Sequence, residues 1–248
     1  MAGSNKKRGE HCEAKRSKEK LTHIFLSSRS RRDAVQDVSM HSRGCSIDME
    51  TTFLPMIEPL PELHAVCLDL VQLFGRSAPL QVDLGCGDGS FLCDLAQQFP
   101  EKNFLGIERL TKRVEKVRRK AERIDNLRVL GTDTLFAVRY LLPENSVETF
   151  YLFFPDPWPK RRHQQRRIFT SDFLDATATA LEQDGILRVA TDQVDYFRYI
   201  EQLSCAHSRF KAVDFDDAVL PSTKFERQFR KQGAPIYRLT LRKTSPVK

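Results

Sequence analysis

The chain has 248 residues, 40% of them hydrophobic, which is enough to bury one full single-domain core. Its 40 Lys/Arg outnumber 33 Asp/Glu, for a net charge of +7. No apolar run approaches the ~18–20 residues of a membrane span, and the N-terminus is polar and basic without an apolar signal core, so a cytoplasmic protein with no membrane partner is expected.

The charge is unevenly placed. Residues 1–32 hold ten Lys/Arg against three Asp/Glu, which is the whole of the +7. Residues 1–50 have few apolar positions and no sustained period, and read as a disordered basic arm. The arm is either a phosphate-attracting tail, a dispensable leader or a product of start-site choice, for which Met40 and Met49 are the later candidates. The folded domain is expected over residues 51–248.

From residue 61 helices and strands alternate. Leu63, Val66, Cys67, Leu70, Val71 and Phe74 keep helical spacing, with Gly75 as the stop. Leu80–Leu84 reads as a strand, Ser90–Phe99 as a helix ended by Pro100, and Phe104–Glu108 as a second strand. Leu110–Ile124 is a helix with an apolar stripe of Leu110, Val114, Val117, Ala121 and Ile124. A third strand Leu127–Thr132, a short helix to Leu142 and a fourth strand to Phe154 follow. A helix capped by Thr170 or Ser171 runs to Gly185, and Ile186–Thr191 is the fifth strand. A helix from Val194, a strand near Phe210–Phe215 and a last strand Ile236–Leu241 complete an α/β domain. Its mostly parallel, seven-stranded sheet should carry helices on both faces.

Asp83, Glu108, Asp133, Asp156 and Asp192 each fall at or just after the carboxyl end of one of five consecutive strands. That edge is where open α/β sheets bind ligands. Any one of them can be a helix cap, Asp133 and Asp192 most plausibly. Five together suit a ligand with hydroxyls, amines and positive charge, and S-adenosyl-L-methionine has all three. Gly85, Gly87 and Gly89 let the intervening loop turn tightly and approach such a ligand. A nicotinamide dinucleotide fold wants G-x-G-x-x-G, whereas the third glycine here comes one residue early. Asp83 stands near the ammonium end of the methionyl part, and Glu108 is placed for both ribose hydroxyls, since a carboxylate only accepts hydrogen bonds and can take two.

The most distinctive stretch is Phe153-Phe154-Pro155-Asp156-Pro157-Trp158-Pro159-Lys160. Three alternate prolines forbid a helix and stiffen an extended loop. The loop holds Asp156 beside the chain's single tryptophan and ahead of a basic tract, Lys160, Arg161, Arg162, Arg166 and Arg167. It is either a base pocket for a nucleic acid or a proline turn before a solvated helix start. Trp158 either stacks on a base or packs the loop, and His163 reads as a surface residue. The six cysteines form no CxxC pair and no metal-ligand pattern, so they read as reduced thiols with no metal partner, Cys86 being a small filler in the glycine loop.

Phe-Pro-Asp-Pro-Trp-Pro-Lys resembles the hallmark of the bacterial tRNA (guanine-N7-)-methyltransferase family. Asp83-Leu84-Gly85-Cys86-Gly87-Asp88-Gly89 upstream and Thr223-Lys224-Phe225-Glu226 downstream support the resemblance, which covers roughly residues 60–243. It implies a Rossmann-like class I methyltransferase fold and methyl transfer from S-adenosylmethionine to guanine N7 of tRNA, at position 46 of the variable loop. It further implies that Asp83, Glu108, Asp133 and Asp156 line the cofactor site. Asp156, placed to orient the guanine and offset the charge that grows on it, is the expected catalytic residue. Lys160, Asp192 and Thr223–Glu226 would contact substrate, and Arg161, Arg162, Arg166 and Arg167 would face the RNA. Two departures affect fine geometry: many members have Glu-x-Gly-Phe-Gly at 83–87, and a smaller residue where Thr134 stands. Two rivals remain, a catalytically silent tRNA-binding protein on the same fold and an NAD(P)-dependent Rossmann oxidoreductase. The expected assembly is a monomer or weak homodimer.

Overall fold

The computed structural model describes residues 67–214 and 220–244. The basic arm, the start of the domain at residue 51 and the strand end at Phe215 lie outside the described residues.

Seven strands form one sheet in the order β3-β2-β1-β4-β5-β7-β6. They are β1 (Leu80–Leu84), β2 (Asn103–Glu108), β3 (Leu127–Gly131), β4 (Val147–Phe153), β5 (Leu181–Thr191), β6 (Phe210–Ala212) and β7 (Tyr237–Lys243). The first five are parallel, and β7 runs antiparallel between β5 and β6. The expected architecture of a mostly parallel seven-stranded sheet is the one observed.

Side chains alternate between two cores, as the two-residue period of a strand requires. Val82, Leu84, Leu105, Ile107, Phe150 and Leu152 enter the larger core, whereas Phe104, Leu127 and Tyr151 enter the smaller one. The smaller core is closed by α2 (Ser90–Gln98) and α3 (Thr111–Ala121), through Phe91, Leu92, Leu95, Ala96 and Val117. The larger is closed by α1 (Leu70–Phe74), the segment from α4 (Thr134–Phe136) through a π-helical turn (Ala137–Leu141), α5 (Ser171–Ala180) and α6 (Val194–Ala206). Helices therefore cover both faces.

Boundaries differ from expectation where tertiary contacts intervene. Asp69 accepts a hydrogen bond from the Gln72 N–H and starts α1 there, and Gly75 ends it with φ of 70°. The fifth helix stops at Ala180 instead of Gly185. Leu181 leaves it in extended conformation, fully buried, and pairs with Val147 of β4. The pairing then jumps to Thr149 against Ile186, and the extra residues turn through Asp184 at φ 63°. Helix α7 (Lys224–Lys231) was not expected at all. Its start was written as Thr-x-x-Glu, since the Thr223 hydroxyl accepts from the Glu226 N–H at 3.0 Å.

Candidate active site

Three segments meet at the carboxyl ends of β1, β2 and β4. Glycines build the first. Gly85 and Gly87 take φ of 83° and 58°, and the Gly85 and Cys86 N–H groups donate to the Ile107 carbonyl at 2.8 and 3.0 Å. The loop is thus pinned to the end of β2 while its next turn is offered to the pocket. Gly89 has a different reason. A Cβ there would lie 2.7 Å from Val117 Cγ1, so only glycine lets α2 start against α3.

Asp83 and Glu108 stand at the ends of adjacent strands, Asp83 opposite Gly106 in register and Glu108 two residues beyond. Each is 5% exposed. Glu108 is anchored, its Oε2 accepting from the Gly87 N–H at 3.1 Å and its Oε1 from the Leu110 N–H at 2.9 Å, with Arg113 at 3.6 Å. Among the described residues no cation pairs with Asp83. Burial, and then the Glu108 charge, push its carboxyl up to about 7. The same surroundings push the Cys86 thiol up, so it remains a neutral filler.

The third segment is the proline loop. Phe154 leaves β4 with φ of 54° and its N–H donates to the Ala190 carbonyl at 2.7 Å; Trp158 has φ of 41°. Two non-glycine residues in this sparsely populated region bracket Asp156, and such strain persists only where surroundings over-determine it. The surroundings are identifiable. Arg166 lies 5.1 Å over the Trp158 ring and His163 meets its edge at 5.8 Å. Phe154 packs on Phe229 and Phe225 of α7, at 5.3 and 6.3 Å between centroids. Asp156 itself is exposed.

Together these segments enclose a pocket of about 520 Å³. Its walls include Asp83, Gly85, Gly87, Glu108, Asp156, Arg166, Thr223, Lys224 and Phe225, nine of the residues singled out from sequence. Others stand elsewhere. Asp133 does not line the pocket, because its carboxylate caps α4 by accepting from the Phe136 N–H at 3.1 Å; Thr134 lines it instead. Asp192 accepts from the Gln193 amide at 2.5 Å and is not a helix cap, a position taken by Gln193. Lys160, Arg161 and Arg162 are exposed on the 3-10 turn outside the pocket. Glu226 is turned inward, its Oε1 accepting from Arg230 Nε at 3.0 Å and from one Arg238 N–H at 2.6 Å.

Arg167 corrects the expected basic tract. It is 8% exposed, its Nε donates to the Pro157 carbonyl at 2.9 Å, and its guanidinium lies 4.6 Å over Tyr196 and 5.1 Å over Tyr199 of α6. Packed this way it faces no solvent-side phosphate. Sequence reasoning also missed Phe91, Arg109, Leu110 and Gln228, which line the pocket. Leu110 was assigned to the core stripe of α3, yet it is 47% exposed and sits at that helix's N-cap. The Thr-x-x-Glu start of α7 was the available signal for Gln228.

Strand order with an antiparallel β7, and a glycine turn and paired carboxylates at the parallel strand ends, define a Rossmann-like class I methyltransferase. A family model described as a putative methyltransferase matches residues 77–239. A tRNA (guanine-N(7)-)-methyltransferase of Halorhodospira halophila is 40% identical over 183 residues, covering 71% of this chain and 79% of that protein. The protein of the same name from Nitrosomonas europaea is 34% identical, covering 72% and 82%. That from Thermotoga maritima is 37% identical, covering 71% of this chain but 58% of its own length. The chain belongs to the tRNA (guanine-N(7)-)-methyltransferase family. Among solved structures, the 16S rRNA methyltransferase KamB superposes with a TM-score of 0.55 at 18% identity, covering 70% of this chain and 92% of that one, a likeness of fold.

Proposed function

We propose that this protein transfers a methyl group from S-adenosylmethionine to N7 of guanine in tRNA, at position 46 of the variable loop. Family membership supports the reaction, and one observation carries its assignment to this pocket. A single exposed carboxylate, Asp156, is fixed in a strained proline frame above a floor of two buried carboxylates.

The residues present fit the cofactor. Asp83 is a buried carboxylate without a cationic partner among the described residues, and an ammonium supplies the missing charge. Each Glu108 oxygen already accepts one backbone N–H, and each can accept one more, which suits a pair of ribose hydroxyls. Gly85 and Gly87 admit close approach of the backbone. When bound, S-adenosylmethionine supplies a methyl group on a positively charged sulfonium.

Guanine N7 carries an in-plane lone pair and no proton, so the protein has no proton to remove from the attacking atom. Its task is positioning and charge. Asp156 accepts from guanine N1–H and the exocyclic amine, which orients the base and offsets positive charge developing on the purine. Thr223, Lys224 and Phe225 border the same space and hold the substrate from the α7 side. Trp158, gripped by Arg166 and His163, stiffens the loop, and Lys160, Arg161, Arg162 and Arg166 meet backbone phosphates. Drawing the target from its stack brings its base to the carboxylates at the sheet edge.

The test is chemical. Incubation with tRNA transcript and methyl-labelled S-adenosylmethionine should yield label that sensitises the strand to reductive aniline cleavage at guanosine 46. A transcript carrying adenosine there should give none. Label at another atom or another nucleotide would overturn the assignment.

A further inference from the structure

Helix α7 has two unlike faces. Phe229 packs on Phe154, Phe225 stands half-exposed beside both at the pocket, and Glu226 is buried under Arg230 and Arg238. That orientation removes the helix's one carboxylate from its outer surface. What remains outside is Lys224, Arg227 and Lys231 at helical spacing, lining a shallow groove with Gln228 and Gln232. The groove wall is made of cations and amides alone, and among the described residues no carboxylate pairs with Arg227 or Lys231. Arg227 donates to the Ser222 carbonyl, which holds its guanidinium against the start of the helix. Lys224 and Gln228 border both this groove and the large pocket, so the two adjoin across these side chains. From Lys224 to Lys231 the helix advances about 10 Å, of the order of three nucleotides of a strand.

We propose that this outer face of α7 is a second phosphate track for the RNA backbone, which enters the pocket between α7 and the 3-10 turn that carries Arg161, Arg162 and Arg166. The proposal rests on the tRNA substrate argued above. A row of three cations with no carboxylate among them recognises a polyanion, and an ion pair already formed within the protein would have cancelled it. Because α7 is packed on Phe154, two residues before Asp156, phosphates held there are at a fixed offset from the reacting base. The two tracks would hold the strand on both flanks of the extruded nucleotide.

The experiment compares full-length parent with Arg227→Gln/Lys231→Gln, measuring tRNA affinity over a salt series. Each phosphate contact contributes about 0.7–0.9 to the slope of log affinity against log salt, so the double variant should flatten it by about 1.4–1.8. Turnover at saturating tRNA and affinity for S-adenosylhomocysteine should be unchanged. Lys231→Glu alone, with its melting temperature checked against parent, keeps the test independent of any structural part of Arg227. It should weaken tRNA binding without loss of melting temperature. If the parent methylates tRNA while both variants bind with the parental slope, the reading of the pocket stands and the track is overturned, the stripe then serving an acidic protein surface or none. If the parent neither binds nor methylates tRNA, the reading of the pocket fails and the track with it.

Discussion

Arg167 donates its Nε hydrogen to the Pro157 carbonyl at 2.9 Å, next to the residue that holds the exposed carboxylate of the site. The same guanidinium is covered by the rings of Tyr196 and Tyr199. One side chain thus ties the proline loop to α6, and a buried charged donor of this kind contributes more than a surface ion pair. Arg167→Gln should lower kcat by up to ~10²-fold, the scale of a misplaced catalytic group, with loss of thermal stability. The slope of tRNA affinity against salt should stay parental. A flattened slope would restore Arg167 to the phosphate-binding tract.

Asp156→Ala should leave the fold intact, because its carboxylate is exposed and supports no part of the core. Methyl transfer should fall by about 10²-fold or more, the scale of losing one preorganised electrostatic contact. Single-turnover kinetics with prebound tRNA separates this from a binding defect. Turnover near the parent rate would remove Asp156 from the mechanism.

Glu108→Ala should weaken cofactor binding and leave tRNA affinity nearly level. The loss has two sources, the acceptors themselves and the Gly87 and Leu110 N–H groups that Glu108 now holds in place. Titration calorimetry with S-adenosylhomocysteine measures it. Equal affinity in parent and variant would reduce Glu108 to a local brace of the loop.

Asp83 makes the site pH-dependent. Burial first, then the Glu108 charge, raise its carboxyl from 3.8 to about 7. Between those values the folded protein keeps a proton that the unfolded chain has lost. Asp83's own contribution to ligand-free stability is therefore most favourable below pH ~4, falls as pH rises towards 7 and levels off above it. Cofactor binding should run the other way, because an ammonium favours the carboxylate, so affinity climbs and a proton is released on binding near neutrality. Asp83→Asn should flatten both profiles. Calorimetry between pH ~5.5 and ~8 in two buffers of different ionisation enthalpy reads the proton directly, and buffer-independent heats would argue that Asp83 is charged throughout.

Local sequence determined the first parallel strands, because β1 and β2 are short, largely apolar segments that reach a carboxylate at or next to their last residue and then turn. It also determined the stiff loop at 155–160, since three prolines exclude a helix whatever surrounds them. The glycine turn was equally legible, although spacing could not separate Gly85 and Gly87, which face the pocket, from Gly89, which exists to let α2 pass Val117.

Tertiary structure decided what each charged side chain is for. Asp133, Asp156 and Asp192 look alike as residues at strand ends, yet one caps a helix, one lines the pocket and one holds a neighbouring amide. Arg166 and Arg167 are adjacent and chemically identical, but one borders the pocket and the other is buried between two tyrosines. Only packing separates them, because α6 brings Tyr196 and Tyr199 from some thirty residues away to one side of the 3-10 turn and not the other. Charge and composition are local properties of a chain; which partner a charge meets depends on contacts between segments far apart in it, and those form only when the sheet is assembled.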